Sequence, residues 1–135
     1  MEVQVGTAAV VVKEDSFLVI KRATKDEFAK EASWTLPGGR VENYEDPNQA
    51  VLREIKEETG IEVEIVKPIG IWSGRKNNVW RIIIHYLCKY RKGRVKLSKE
   101  HSEFSWIKFK ELKKAELEEW VKEKAKIAVK ELNRK

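Results

Sequence analysis

The sequence predicts an α/β fold of two or three layers. Strand-length apolar runs lie on both sides of an amphipathic helix with well-marked ends, and a second amphipathic segment closes the chain. At 135 residues the chain suits one domain, residues 1–135, with enough length to bury a core.

The elements follow in order. Thr7–Lys13 and Ser16–Arg22 read as strands joined across the acidic turn Glu14-Asp15, a hairpin. Residues 23–33 form a polar connection about as long as loops become without a function, which predicts a flap over a cleft. Trp34 then leads into the glycine turn Leu36-Pro37-Gly38-Gly39. Beyond it, Asp46 is a good helix N-cap, Pro47 suits the first helical position, and Gln49 completes a capping box. Gly60 supplies the left-handed ending, after which Ile61 folds back onto Ile55.

Val51, Leu52 and Ile55 are expected to dock this helix on the core, with small Ala50 leaving space one turn before the acids. Glu62–Ser73 and Val79–Tyr90 are further strands separated by Gly74–Asn78, and the second is apolar on both faces, as a central strand is. Glu103–Ile107 reads as a short strand. From Ala115 to Lys135, Leu117, Trp120, Val121, Ala125, Ala128 and Leu132 share one side of a helix that covers the sheet.

Composition narrows the function only a little. A net charge of +6 suits polyanionic ligands, yet with 37% charged residues it equally fits solubility or adaptation to heat. Cys88 is the single cysteine, so an internal disulfide framework is excluded, and a buried small hydrophobe is the favoured reading. No repeat or low-complexity run occurs, and no apolar run approaches the roughly 20 residues of a membrane span. The first residues lack a signal-type pattern, so a cytoplasmic location is expected, with no membrane partner and no stable nucleic-acid partner.

The chemistry concentrates on the first helix. At roughly 100° per residue, Glu54, Glu57 and Glu58 share one arc, and like charges so spaced repel by a few tenths of a kcal/mol per pair. A cation relieves that repulsion. Oxygen-only ligands select hard ions, Mg²⁺ or Mn²⁺, and Gly38 or Gly39 can bring a backbone carbonyl close to one. Magnesium shared with substrate phosphates implies attack of water on a phosphate chain. The competing reading is a solvated acidic face. The C-terminal helix is an internal control: Glu116, Glu118, Glu119 and Glu123 alternate there with Lys122, Lys124, Lys126 and Lys130, and no glycine turn precedes it.

Gly39, Glu45 and the run Arg53-Glu54-Ile55-Lys56-Glu57-Glu58-Thr59-Gly60-Ile61 match the box of the Nudix hydrolases at every specified position. Trp34-Thr35-Leu36-Pro37-Gly38 also resembles that family. The resemblance implies an α/β/α sandwich on a mixed β-sheet and metal-dependent cleavage of nucleoside diphosphates linked to another moiety. Glu54, Glu57 and Glu58 would hold Mg²⁺ or Mn²⁺ with the Gly38 or Gly39 carbonyl, and one of them or Glu103 would help deprotonate water. Glu45 and Arg53 would pair structurally. Glu103 is the candidate for one further acid or base, with Glu100 in reserve.

Arg22, Trp34, Trp72 and Arg75 are the candidate substrate contacts, each with a plainer alternative: a solvated strand end for Arg22, packing against the box helix for Trp34. His85 is expected to be a hydrogen-bonded structural residue. Two specificity signals of the family are absent, the proline of many ADP-ribose hydrolases near Lys76 and Asn77 and the tyrosine of dinucleoside polyphosphate hydrolases near Asn78 and Val79. The upstream pattern of coenzyme A hydrolases is not evident either. A MutT-like nucleoside triphosphate pyrophosphohydrolase, monomer or homodimer, is therefore expected. ADP-ribose, dinucleoside polyphosphate or sugar-nucleotide hydrolysis, and a nucleotide sensor without turnover, are the alternatives.

Overall fold

The computed structural model describes residues 1–23 and 33–134. Strands β1 (Glu2–Lys13), β2 (Ser16–Arg22) and β3 (Trp34–Thr35) precede helix α1 (Pro47–Thr59). Strands β4 (Glu62–Lys76), β5 (Val79–Lys92) and β6 (His101–Lys108) follow, then a 3₁₀ turn at Phe109–Glu111 and helix α2 (Glu119–Leu132). The flap expected over residues 23–33 falls almost wholly outside the described residues.

The six strands form one mixed sheet in the order β3-β2-β1-β5-β4, with β6 on β2. β1 runs parallel to β5, and the remaining pairs are antiparallel. Alternation along the strands builds two cores. Ala8, Val10, Val12, Phe17, Val19 and Leu87 pack under Val121, Ala125 and Ala128 of α2. Ala9, Val11, Leu18, Ile20, Tyr86 and Cys88 pack under Val51 and Ile55 of α1. The architecture is an α/β/α sandwich, and Cys88 is fully buried as expected.

Several expectations need correction. β1 begins at Glu2 rather than Thr7, because Glu2–Gly6 pairs in parallel with Val79–Ile83, a non-local partnership that a polar N-terminal stretch does not advertise. β6 starts at His101, and α2 is shorter than Ala115–Lys135. Leu52 is 38% exposed instead of docked, since Ala50, Val51 and Ile55 already fill the buried arc. Asp46 caps α1 by accepting the Asn48 N–H at 2.7 Å, and among the described residues Gln49 makes no return bond. The other end is as expected: Gly60 has φ 76°, and Ile61 shares a core with Ile55.

The hairpin is only partly zipped. β1 and β2 pair at Val12–Phe17 and Lys13–Ser16, beside their turn, and then part. Residues 34–41 fill the gap. Trp34 and Thr35 pair with Lys21 and Ile20, while Ala9 and Thr7 donate to the Pro37 and Gly39 carbonyls and Val41 donates to Val5, each at 2.8 Å. The glycine segment thereby becomes part of the sheet interior.

Candidate active site

The site begins with that wedge. Gly39 O accepts both the Thr7 N–H and the Thr7 hydroxyl, the latter at 3.1 Å. The Gly38 N–H donates to Glu58 Oε1 at 2.8 Å, and among the described residues the Gly38 carbonyl carries no hydrogen bond. Gly38 is required by the backbone around it, and Gly39 by the seat of Glu54. A Cβ on Gly38, whose φ is 153°, would stand 2.1 Å from Thr7 O, and one on Gly39 would stand 2.3 Å from Glu54 Oε2. Glu54 is thus pressed against the Gly39 backbone.

The three box acids are not equivalent. Glu58 is 8% exposed, and burial, outweighing the Gly38 N–H, pushes its carboxyl up to about 8. Burial also raises Glu54, against the pull of Arg53. Glu57 lies on the outer edge, its side chain 59% exposed, with Arg53 Nη1 at 3.1 Å. Without a cation, the two inner acids sit where their ionised forms are poorly compensated.

Arg53 ties the assembly together. Its Nε and Nη2 fork onto Glu45 at 2.8 and 2.9 Å, Nη2 donates to Arg40 O at 3.0 Å, and Nη1 donates to Glu54 at 2.8 Å. The guanidinium holds Glu45 at about 2, and the carboxylates raise Arg53 above its ordinary value in return. The fork from Arg53 ties Glu45 and the Arg40 carbonyl of the loop to the helix.

The connection from β5 to β6 closes the site from the far side. Lys96 N–H donates to Thr59 O and Ser98 N–H to Glu58 O, at 2.8 and 2.9 Å. These bonds set Glu100 and His101 beside Glu58: ligand atoms of the three lie within 4.8 Å of one another. His101 Nδ1 is 3.9 Å from Glu58 Oε2. This contact is not an ion pair at neutral pH, because burial foremost lowers His101 while it raises Glu58, leaving both neutral. Arg22 contributes to the same field, favouring an ionised Glu58 and an uncharged His101.

Other candidates lie elsewhere. Glu103 pairs with Lys21 across β2 and β6, with Lys21 Nζ 3.2 Å from its Oε2. Antiparallel partners share a face, and alternation from Val19 puts Lys21 and Glu103 on the α2 face, away from the box acids. Trp34, the partner of Lys21 in β3, packs on the α2-side core and not on the box helix, with Lys21 Nζ 5.8 Å from its ring centre. Trp72, opposite Ile83, is also on the α2 face and covers Gly74. Arg75, opposite Trp80, is one residue out of phase with Gly74 and therefore faces the other way; its Nε donates to Asn77 O at 3.2 Å. His85 is buried and held at about 4 by desolvation, but among the described residues its Nδ1 has no hydrogen-bond partner, contrary to expectation; Trp120 lies edge-on at 5.9 Å.

His101 and Thr7 also belong to the site. The only sequence signal for His101 is its place directly after Glu100, and nothing local marks Thr7 as the residue that holds Gly39.

A glycine segment set against a buried and a half-buried carboxylate on one helix, clamped by an arginine fork, is the constellation of a hydrolase. Residues 3–128 match the family model of the NUDIX domain, and the chain belongs to the Nudix hydrolase family. It is 36% identical over 104 residues to a MutT-like protein of Streptomyces ambofaciens, an alignment covering 76% of this chain and 62% of that protein, so it spans less than two thirds of that relative. Over 119 residues it is 29% identical to the nucleoside triphosphatase NudI of Klebsiella pneumoniae, covering 79% and 83% of the two chains. The crystal structure of a MutT protein from Methanosarcina mazei superposes with a TM-score of 0.81 at 27% identity, covering 98% of this chain and 97% of that one.

Proposed function

We propose that this chain hydrolyses a phosphoanhydride bond of a nucleoside triphosphate, releasing pyrophosphate and a nucleoside monophosphate. The observation that carries the reading is the pair Glu54 and Glu58, set against the Gly38-Gly39 backbone where burial outweighs their present hydrogen-bond and charge partners, so that a further cation would stabilise their ionised forms. The names of its MutT-like and NudI relatives supply the substrate class.

Glu54, Glu57 and Glu58 would hold Mg²⁺ or Mn²⁺, and the Gly38 carbonyl rather than that of Gly39, which is engaged by Thr7, would be the backbone ligand. The bound cation supplies charge neutralisation at the phosphate oxygens and a lowered pKa for the attacking water. Glu54 is the proton acceptor we assign, since its burial raises its carboxyl in the direction that a general base needs. Arg22, close enough to bias Glu58 electrostatically, contacts the phosphate chain through its guanidinium. Trp34 and Trp72 remain the aromatic candidates for base contact on the α2 face, and a cytoplasmic setting fits a nucleotide substrate.

The test is product analysis with Mg²⁺ or Mn²⁺ and a panel of normal and oxidised nucleoside triphosphates, ADP-ribose and dinucleoside polyphosphates. Pyrophosphate and a monophosphate from a triphosphate are expected. Glu54→Gln should lower kcat by about 10²- to 10⁴-fold with an unchanged melting temperature, the scale of removing a preorganised charge. Turnover of ADP-ribose alone, or full activity in the variant, would overturn the assignment.

A further inference from the structure

We infer that the cation site of this chain includes a nitrogen ligand, His101, so that it favours a transition-metal ion such as Mn²⁺ over Mg²⁺. The inference rests on the metal-dependent reading above and adds to it the identity of one ligand.

Three observations lead there. Glu58, Glu100 and His101 bring two carboxylates and an imidazole within 4.8 Å of one another. Two ligands of one ion, each about 2.1 Å from it, stand roughly 3 to 4.2 Å apart depending on whether they are adjacent or opposite. The 3.9 Å between His101 Nδ1 and Glu58 Oε2 falls inside that range.

Second, His101 is only 7% exposed and its Nδ1 is buried with no hydrogen-bond partner among the described residues. Buried imidazole nitrogens are ordinarily satisfied, and one left unpaired is costly. That nitrogen faces Glu58 Oε2 at 3.9 Å, beyond a direct hydrogen bond, and a cation between the two atoms would be a ligand partner to both. Ser98 Oγ, three residues earlier, is another buried polar atom without a partner among the described residues.

Third, the ring is aimed by backbone rather than by chance. Ser98 N–H bonds to Glu58 O, His101 N–H to Ser98 O, and Ala23 N–H to Glu100 O, at 2.9, 3.2 and 2.9 Å. The segment is thus tied both to the last turn of α1 and to the end of β2.

Carboxylates and water suit Mg²⁺ and Mn²⁺ alike, whereas an imidazole ligand raises affinity along the series from Mn²⁺ towards the later transition metals. The chemical consequence is a site whose Mn²⁺ preference resides in one residue outside the box helix.

Pulsed electron paramagnetic resonance of the full chain loaded with Mn²⁺ reads this directly. Nitrogen modulation of a coordinated imidazole is expected, and its pattern should change when the protein is labelled with ¹⁵N-histidine, a replacement that leaves the fold untouched. His101→Gln should abolish the modulation and reduce the ratio of Mn²⁺ to Mg²⁺ affinity, measured by calorimetry, by about tenfold or more, the scale of disturbing a metal site's immediate support. Tight Mn²⁺ binding without nitrogen modulation would overturn the inference and leave the metal-dependent reading intact. No Mn²⁺ binding by the native chain would overturn both.

Discussion

Replacing Glu58 by glutamine should make the metal-free protein more stable while removing its activity. The folded state keeps the Glu58 proton up to about pH 8, whereas the unfolded chain releases it near 4.5. Between those values the folded state binds more protons, so stability falls as pH rises through the window. At pH 7 the difference amounts to about 3 kcal/mol. Glutamine keeps an oxygen for the Gly38 N–H and offers its amide N–H₂ to the unpaired His101 Nδ1. Thermal melts in EDTA from pH 5 to 8 should show the wild type losing stability relative to Glu58→Gln, with the variant melting roughly 10 °C higher at pH 7. Saturating Mn²⁺ should reverse the order, because a ligand that binds the folded state stabilises only the protein that can hold it. A variant no more stable than wild type at pH 7 to 8 without metal would refute the claim that Glu58 is a carboxylate strained by burial.

Three further outcomes separate the parts of the site. Gly39→Ala should fold but move Glu54, since the new methyl meets that flexible side chain, and kcat should fall by about 10²-fold or more; Gly38→Ala meets Thr7 backbone at an unfavourable φ and should lower the melting temperature markedly in the same assay. Arg53→Lys keeps the charge but loses the fork on Glu45 and the bond to Arg40 O, so kcat should fall by about tenfold or more with a nucleotide KM close to wild type. Glu100→Gln should weaken Mn²⁺ binding by about tenfold or more in calorimetry. Glu103→Gln, which breaks only the exposed pair with Lys21, should change it by less than about twofold.

What could be read from the residues depended on how local the cause was. Asp46 and Gly60 mark the ends of α1 by backbone chemistry within one turn, and β2 matches its expected bounds because alternation alone defines it. The acids of the box are adjacent on a helix, so their grouping was legible too. Their inequality was not: Glu58 is buried because the segment from Lys96 to His101 folds over it, a contact spanning some forty residues of chain. Strand phase separates Glu103 from Glu100, which lies beside Glu58. Glu103 falls in register with Lys21 on the α2 face, and no pattern within Glu103–Ile107 says which face that is. The parallel pairing that extends β1 back to Glu2 is equally non-local.

The partly zipped hairpin sets limits on how this molecule can diversify. Because residues 34–41 complete the hydrogen bonding of β1 and β2 where those strands separate, the backbone that abuts the acids is also the seam of the sheet. Lengthening or shortening that stretch would leave a row of amides and carbonyls without mates in the middle of the protein. New specificities are therefore more easily grafted at the β4–β5 turn around Asn77 and Asn78, where added residues would extend into solvent and leave the seam closed.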